Sequence, residues 1–526
     1  KADPHTTSPH TFFFCCFFHD LLHFLWLLKR YHIAAACWLL AAACVVHRFF
    51  FVSSRRLRFY PRPVYVLDFA CYKPRDELKC NYEVSEFMTR SNAHRFSLPS
   101  MDFQRKIFER SGLGDETYLP AGLVFKDLNP RAGWNAENAD AAKNTADQTL
   151  NPSRLSLEKG SGVRSDCGEM PSFEDARAEA EEVLFGSVAE LLLKCNVKAE
   201  DIAIVVSNCS LHCPSPSYAS MLVSKFKLNQ DVKAFHLAGM GCSASLIAVK
   251  LAADLLRVRS RSWSNRKKNP GYALVVSTEN ITLNYYFGNE KPMLVTNCLF
   301  RVGCAAILLS DSPSDRPRSK YRLLHCVRTH KASDDDAYGC AYQTHDPAGL
   351  LGVSLNKNLM RVAADALRTN VRSLAPLVLP VREQLRFVST LLAREILKLK
   401  LKQYVPDFKP AIRHFCLHAG GRAVIDEIQK NLHLDDYLLE PSRATLHRWG
   451  NTSASCVWYV LAYMECQGRV KAGDKVWMLG LGSGFKCNSA ILEAVSDVPA
   501  SSTLNAWADC IHRYPAAYKR PPTKTF

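Results

Sequence analysis

Two long apolar segments lie near the start of the chain. Thr11–Leu28 is rich in Phe and Leu but is interrupted by His19 and Asp20, whereas Ile33–Val52 is apolar almost throughout. Because roughly 20 apolar residues span a bilayer, the second segment is long enough and the first is marginal. One span or two spans both fit this pattern. A cleaved signal peptide is the alternative, and two long segments before a basic stretch disfavour it.

Basic residues follow the second apolar segment directly. These residues are Arg55, Arg56, Arg58 and Arg62. By the positive-inside rule, basic residues at this end of the segment place the rest of the chain in the cytosol. We therefore predict a membrane anchor over residues 1–61, with a cytosolic domain after it.

Short apolar runs of strand length alternate with helix-like segments over the remainder of the chain. The predicted strands are Val64–Ala70, Ile202–Val206, Ala273–Ser277, Ala305–Ser310, Ala411–Leu417 and Lys475–Leu479. The predicted helices lie within Glu86–Glu116, Ser172–Leu193, Met221–Phe226, Cys242–Leu256 and residues 352–404, the last with a break between Pro376 and Pro380. This alternation predicts an α/β protein. One series ends near Ser310 and a second begins near Tyr321, which predicts two halves at 62–320 and 321–498 and a tail at 499–526.

Two segments depart from this alternation in informative ways. Lys126–Met170 is full of Asn, Ala, Asp, Gly and Ser, so it buries too little apolar surface to offset chain entropy, and we predict a loosely ordered insert. Ser172 and Asp175 have the spacing of a capping box before a periodic run, which predicts the start of an amphipathic helix.

Val381–Tyr404 alternates Leu, Phe, Val and Ile with Arg and Lys. This pattern is typical of a basic amphipathic helix on a membrane surface and equally of a surface helix packed on the core. The predicted anchor keeps the domain close to the bilayer, so we favour the interpretation as a helix on the membrane surface.

The chain carries 67 basic and 50 acidic residues, a formal net charge of +17. Nucleic acid, an anionic membrane or an anionic substrate would suit this charge, but no aromatic-basic RNA-binding signature or zinc-finger spacing is present, so nucleic acid is disfavoured. The 20 cysteines follow no regular framework, which indicates a reducing compartment. Cys209 and Cys213 resemble half of a metal site, but no second pair matches them, and we predict no metal.

A single cysteine, Cys242, stands between small residues in the stretch His236–Ser245, directly before an apolar helix-like run. A cysteine at a helix N-terminus meets a positive dipole end, which predicts a lowered thiol pKa and a nucleophile for covalent acyl transfer. A buried structural cysteine beside a glycine turn fits the same pattern.

Two later motifs strengthen the nucleophile interpretation. His418 precedes a glycine pair in His414–Arg422, and Asn451 follows Gly450 in a polar turn. A Cys, a His and an Asn so far apart in sequence converge only through the fold. A satisfied core histidine and a simple turn remain the alternatives, and Asn451-Thr-Ser also fits a glycosylation acceptor.

Taken together, these motifs resemble the plant-type 3-ketoacyl-CoA synthases, the condensing enzymes of very-long-chain fatty acid elongation. The resemblance extends in order from about Arg62 to Leu492. It rests on the motifs already quoted and on Arg62–Pro74, Asn208–Ser210, Ser277–Glu279, Asn297–Arg301, Val327–Lys331 and Gly482–Ser489.

This resemblance implies a thiolase-like αβαβα duplicated fold, usually dimeric, and an endoplasmic reticulum anchor with a cytosolic catalytic domain. It implies that Cys242 is acylated by a long-chain acyl-CoA, while His418 and Asn451 stabilise the enolate formed when malonyl-CoA loses carbon dioxide, with no cofactor. Two preorganised hydrogen-bond donors are enough to stabilise the negative charge of the enolate. Gly482, Ser483 and Gly484 are expected to lie beside the oxyanion that forms on the thioester carbonyl. His330, His414 and His447 match further histidines of the family, for which we expect lesser roles. The reductase and dehydratase of an elongase are possible partners.

The chain departs from the family pattern at four positions. Ser245 replaces a glycine behind the nucleophile, Cys304 replaces a second glycine, and Ser333 and His345 replace small or acidic residues. These leave two rivals open: a type III polyketide synthase-like condensation, which the anchor and Lys486–Ser489 disfavour, and a catalytically weakened elongase scaffold, which the intact Cys-His-Asn set opposes.

Overall fold

A nine-stranded mixed sheet is the centre of the molecule in this computed structural model, which describes residues 62–127, 170–259, 271–395, 398–399, 407–500 and 504–516. Its strands are β1 (Val64–Cys71), β4 (Ile202–Cys209), β5 (Lys233–Ala238), β6 (Tyr272–Thr278), β7 (Cys304–Ser310), β8 (Tyr321–His330), β11 (His414–Leu417), β12 (Lys475–Gly482) and β13 (Lys486–Ala494). Two small hairpins lie outside it, formed by β2 (Lys79–Cys80) with β3 (Thr117–Tyr118) and by β9 (Ala341–His345) with β10 (Leu351–Leu355).

The strand order is similar in the two halves, which contribute five and four strands to the sheet. The first half runs β5-β4-β6-β7-β1 and the second runs β11-β12-β13-β8, so in each half the first strand lies beside the last. Strands β4, β5 and β6 pair in parallel, as do β11 and β12, while the other pairs are antiparallel. Antiparallel pairing of β1 with β8, at Val64–Val66 and Tyr321–Leu323, joins the two halves. The expected α/β fold is therefore present, with its duplication visible in the strand order.

Helices cover both halves of the sheet. They are α1 (Tyr82–Ser91), α2 (Leu98–Arg110), α3 (Ala121–Asp127), α4 (Phe173–Cys195), α5 (Tyr218–Phe226), α6 (Ala244–Arg259), α7 (Lys291–Leu299), α8 (Asp335–Gly339), α9 (Leu359–Val378), α10 (Val381–Glu395), α11 (Arg422–Leu432), α12 (Asp436–Trp449) and α13 (Cys456–Cys466).

Two of these helices, α6 and α13, form the central layer. Each contacts strands of both halves, whereas α4 packs on β1 and β7 and α9 packs on β8 and β13. Every side chain of α13 is buried, as expected of a helix that is apolar on all sides. This layering places the N-terminal ends of both central helices, and the residues just before them, deep in the molecule.

Several sequence predictions can be checked against these elements. The capping box of Ser172 and Asp175 is present, with both reciprocal hydrogen bonds, at the start of α4. The helix expected to begin at Cys242 begins at Ala244, because Cys242 and Ser243 form a turn. The break expected between Pro376 and Pro380 is present: α9 ends at Val378, with Pro376 inside its last turn, and α10 begins at Val381.

Other predictions fall on residues that the structure does not describe. These are the two apolar segments Thr11–Leu28 and Ile33–Val52 and most of the insert Lys126–Met170. Among the helices of the described residues, none combines the length and apolar character needed to cross a membrane.

Candidate active site

Cys242 lies on a tight turn between β5 and α6. Gly239 and Gly241 have φ values of +62° and +73°, in the left-handed region that glycine adopts without a steric penalty. The Gly241 N–H donates to the Ser210 hydroxyl at 2.9 Å, which ties the turn to the end of β4. Behind it, the Asn488 amide on β13 donates to the Ser243 hydroxyl at 2.7 Å. The turn is therefore held from both halves of the sheet, and it leaves the Cys242 side chain partly exposed.

His418 and Asn451 come from the second half of the fold. His418 follows β11, and its N–H continues the pairing with β12 by donating to the Leu479 carbonyl at 2.9 Å. Asn451 follows α12, and its backbone is fixed on both sides, because its N–H donates to the Leu299 carbonyl and its own carbonyl accepts from Arg301, each at 3.0 Å. Both side chains are only 4% exposed.

A continuous set of contacts joins these three residues. The Ser453 hydroxyl lies close enough to the Cys242 thiol to lower the pKa of that thiol, and the Ser453 N–H donates to Asn451 Oδ1 at 2.9 Å. Asn451 Nδ2 donates to the Gly420 carbonyl at 3.2 Å. A Cβ placed on Gly420 would lie 2.7 Å from His418 Nε2, so the imidazole edge and the carboxamide meet at this glycine. The predicted Cys, His and Asn are therefore joined through Ser453 and Gly420.

The glycine turn Gly482–Gly484 packs directly on the nucleophile turn. A Cβ on Gly482 would lie 2.8 Å from the Cys242 nitrogen, and one on Gly241 would lie 2.6 Å from the Ser483 nitrogen. Such short approaches exclude any side chain at either glycine. The close-packing interpretation of this turn is therefore correct, and the same approach sets the backbone nitrogens of Cys242 and Ser483 against the facing glycine turns.

The electrostatics of the resting site differ from the sequence-based prediction. Burial raises the pKa of Cys242 to about 12, an effect that the neighbouring Ser453 hydroxyl opposes only in part. The predicted lowering by the helix N-terminus is therefore wrong for the free enzyme, because desolvation of the thiolate exceeds the dipole effect. Burial also lowers the pKa of His418 to about 4. At neutral pH the resting site thus holds a neutral thiol beside a neutral imidazole.

A pH dependence of Cys242 reactivity follows. Because the thiolate is the reactive form and its fraction grows tenfold per pH unit below the pKa, alkylation of Cys242 by iodoacetamide should rise about tenfold per unit between pH 7 and 9. Mass spectrometry of the Cys242 peptide measures this rate, with the exposed Cys213 as an internal comparison. A plateau below pH 8 would contradict the raised pKa.

Glu279 is a residue of the site that sequence reasoning missed. Its carboxylate is buried and accepts hydrogen bonds from the Ser210 and Leu211 N–H groups, each at 2.8 Å, and from the Ser453 hydroxyl at 2.9 Å. Burial raises its pKa. Glu279 thereby fixes the Ser453 hydroxyl beside Cys242. In the sequence Glu279 is only the last residue of the motif Ser277–Glu279. The one signal for its role is that an acidic residue directly follows the buried strand β6.

The remaining predicted histidines lie in different places. His330 ends β8 at the rim of the site, where it faces the Gly484 backbone. His414 lies at the opposite end of β11 from His418, with its Nε2 atom 2.9 Å from Asp474. His447, on α12, contacts the Tyr514 hydroxyl through Nδ1 at 2.9 Å. The structure thus groups His330 with the glycine turn and does not bring His414 to Cys242, while the roles of all three stay predictions.

Two departures from the family pattern have structural partners. The Ser245 hydroxyl, fully buried on α6, accepts a hydrogen bond from the Trp458 indole at 2.5 Å. The Cys304 sulfur on β7 lies 3.3 Å from the Ser187 hydroxyl. The Ser245 hydroxyl therefore joins the two central helices, α6 and α13, to each other.

The Ser245 contact leads to a stability prediction. Ser245→Ala leaves the buried indole N–H of Trp458 without its acceptor, which should lower the free energy of unfolding by about 1–3 kcal/mol. Chemical denaturation measures the change. Adding Trp458→Phe, which removes the donor, should make the effect of Ser245→Ala smaller than in the wild-type background. Equal effects in both backgrounds would show that the hydrogen bond contributes nothing.

Comparison with known proteins agrees with this geometry. Residues 56–159 and 161–396 match the family described as FAE1/Type III polyketide synthase-like protein, and residues 409–494 match the 3-Oxoacyl-[acyl-carrier-protein (ACP)] synthase III C terminal family. The chain is 48% identical over 456 residues to 3-ketoacyl-CoA synthase 4 of Arabidopsis thaliana, covering 86% of this chain and 78% of the relative. It is 46% identical over 464 residues to 3-ketoacyl-CoA synthase 11 of the same plant, covering 88% and 81%.

Solved structures match more distantly. CsyB complexed with CoA-SH aligns with a TM-score of 0.56 at 18% identity, covering 82% of this chain and 100% of that one. A type III pentaketide synthase from Neurospora crassa aligns with a TM-score of 0.56 at 15% identity, covering 82% and 99%. These structures establish the fold alone.

Fold and family matches together define a thiolase-like condensing enzyme. The long matches at 46–48% identity then identify the family within this class of enzymes. The chain belongs to the 3-ketoacyl-CoA synthase family, and it is a condensing acyltransferase of fatty acid elongation.

Proposed function

We propose that this chain joins a long-chain acyl-CoA to malonyl-CoA through an acyl-cysteine on Cys242. The observation that supports the proposal is the set of contacts that links Cys242, His418 and Asn451 through Ser453 and Gly420. In the first half-reaction the Cys242 sulfur attacks the thioester carbonyl of the acyl-CoA. The acyl–sulfur bond to CoA breaks, and the thiol proton ends on the departing CoA sulfur. The backbone amides of Cys242 and Ser483 stabilise the oxyanion.

The second half-reaction uses the two side-chain donors. The thioester carbonyl of malonyl-CoA accepts hydrogen bonds from His418 Nε2–H and from Asn451 Nδ2. When carbon dioxide leaves, negative charge develops on that oxygen, and two fixed donors in a water-poor cavity stabilise it without a cofactor. The enolate carbon attacks the acyl thioester and expels the Cys242 sulfur. The product is a 3-ketoacyl-CoA two carbons longer.

The neutral state of His418 supports its role as a donor. With a pKa of about 4, the imidazole carries no charge at neutral pH, so it gives a hydrogen bond without first losing a proton to the enolate. Asn451 is a neutral donor as well. The site thus stabilises the enolate by hydrogen bonds from two fixed neutral donors. Neither residue transfers a proton to the product.

A membrane location is the second part of the proposal. The predicted anchor before Arg62 and the basic charge of the chain support an endoplasmic reticulum membrane with the catalytic domain in the cytosol. Helix α10 adds a physical argument, because Val381 and Leu385 are about half exposed on a helix that also exposes Arg382 and Arg386. Such a surface suits an anionic bilayer. We also propose a homodimer and association with the reductase and dehydratase of an elongase.

Two other functions remain as outcomes of the test. The structural neighbours include type III polyketide synthases, but identities of 15–19% show the fold alone, whereas the relatives at 46–48% identity are named 3-ketoacyl-CoA synthases. A scaffold without activity would need a damaged site, and the contacts that link Cys242, His418 and Asn451 support an active one.

The experiment incubates membranes that contain the full chain with labelled malonyl-CoA and a series of long-chain acyl-CoA substrates. A labelled 3-keto product two carbons longer supports the proposal. A cyclised aromatic product would instead indicate polyketide synthesis. The absence of both, with binding to elongase subunits retained, would indicate a scaffold. The product profile over chain length also gives the substrate range.

A further inference from the structure

A second cysteine lies against the imidazole of the site. Cys456, the first residue of α13, places its sulfur 2.8 Å from His418 Nδ1. Both residues are fully or almost fully buried. The two are 38 positions apart in sequence, and neither composition nor motif spacing singled out Cys456.

The surroundings of this sulfur decide which way its proton points. Backbone N–H groups of Ala419, Val457 and Cys456 itself lie close enough to the sulfur to lower the pKa of the thiol, as donors to the sulfur do. These donors use its capacity as an acceptor, so the hydrogen that the thiol carries is free to be donated. Burial raises the pKa of the Cys456 thiol, which therefore keeps its proton at neutral pH.

His418 supplies the matching acceptor. Its imidazole is neutral, because burial lowers its pKa to about 4, so one ring nitrogen carries a proton and the other does not. A thiol that donates to Nδ1 requires that nitrogen to be bare, which leaves the proton on Nε2. The hydrogen bond at one nitrogen of a histidine thus sets the state of the other.

We propose that Cys456 is a positioning residue that holds His418 in the Nε2–H tautomer and thereby orients the donor used in decarboxylation. This inference rests on the proposed function of His418. The Nε2 atom lies at Gly420, the residue whose carbonyl accepts from Asn451 Nδ2. The tautomer fixed by Cys456 therefore points the imidazole proton to the place where the carboxamide donor also lies.

Three variants separate this role from packing. Cys456→Ala removes the donor, and Cys456→Ser keeps a hydroxyl donor in its place. Cys416→Ala is the matched control, because Cys416 on β11 is an equally buried thiol close to Cys456. For each membrane-bound full chain we would measure acylation of Cys242 by labelled acyl-CoA, carbon dioxide release from malonyl-CoA and thermal unfolding.

We expect Cys456→Ala to lower the kcat of decarboxylation about tenfold with little change in KM or in the rate of acylation. Cys456→Ser should recover to within about threefold of the wild type, and Cys416→Ala should stay near it. Equal losses in the Ser and Ala variants, an equal loss in Cys416→Ala, or normal decarboxylation in Cys456→Ala would each overturn the proposal. A wild-type chain that releases no carbon dioxide would instead count against the proposed function.

Discussion

Cys242→Ala is expected to abolish transfer of the acyl group to the enzyme and to lower condensation by at least about 10⁴-fold. The reason is that no other nucleophile replaces the thiol: its hydroxyl neighbour Ser453 is held by the Glu279 carboxylate at 2.9 Å, and loss of a covalent nucleophile is among the largest single-residue effects in catalysis. Gel autoradiography with labelled acyl-CoA measures acylation, and product analysis measures condensation.

The same variant should retain release of carbon dioxide from malonyl-CoA, because His418 and Asn451 remain in place. Cys326→Ala is the matched control, since Cys326 on β8 is a partly exposed thiol like Cys242 and is not part of the site. It should acylate and condense at the wild-type rate. Normal condensation by Cys242→Ala would exclude the acyl-cysteine mechanism altogether.

Asn451→Ala is expected to reduce decarboxylation of malonyl-CoA by about 10²–10³-fold while acylation of Cys242 stays within about threefold. Removing one fixed donor to a developing oxyanion has an effect of this size, and the first half-reaction does not use this carboxamide. Carbon dioxide release and acyl-enzyme formation, measured separately, give the two rates.

Asn451→Asp refines this test. The aspartate keeps an oxygen that accepts from the Ser453 N–H, as Asn451 Oδ1 does at 2.9 Å, but it lacks the Nδ2 donor to Gly420. It should therefore lose decarboxylation as Asn451→Ala does, even though the loop contact is kept. Asn431→Ala on α11 controls for loss of a carboxamide elsewhere. If both Asn451 variants slowed acylation as strongly as decarboxylation, the division of labour would be wrong.

The central strands were predictable because strands buried on both faces have apolar residues at almost every position. Strands β4, β6 and β7 are nearly continuous apolar runs, and the fold buries them on both faces. Strand β5, at the edge of the sheet, was missed because most of its side chains are exposed and show no apolar run. Strand β13 was missed for a different reason, since its first residues Lys486–Ser489 read as a polar motif although they are buried.

The candidate site residues could be proposed from the sequence, but their electrostatics could not be predicted from it. Motifs around Cys242, His418 and Asn451 indicated the chemistry, and the fold brings the three together. The direction of the Cys242 pKa was wrong because the cost of burying a thiolate depends on neighbours from distant strands and helices. Glu279 and Cys456 were missed on the same ground, since their importance lies in contacts with Ser453 and His418 that only the tertiary structure creates.

The pairing of β1 with β8 has a consequence for how activity depends on chain integrity. The thiol belongs to the half that ends at β7, and both side-chain donors belong to the half that begins at β8. A fragment that stopped near Ser310 would keep a cysteine with nothing to polarise malonyl-CoA, and a fragment that began near Tyr321 would keep the donors with no acyl carrier. Under the proposed mechanism, a shortened chain that retained either half alone would therefore be inert in condensation.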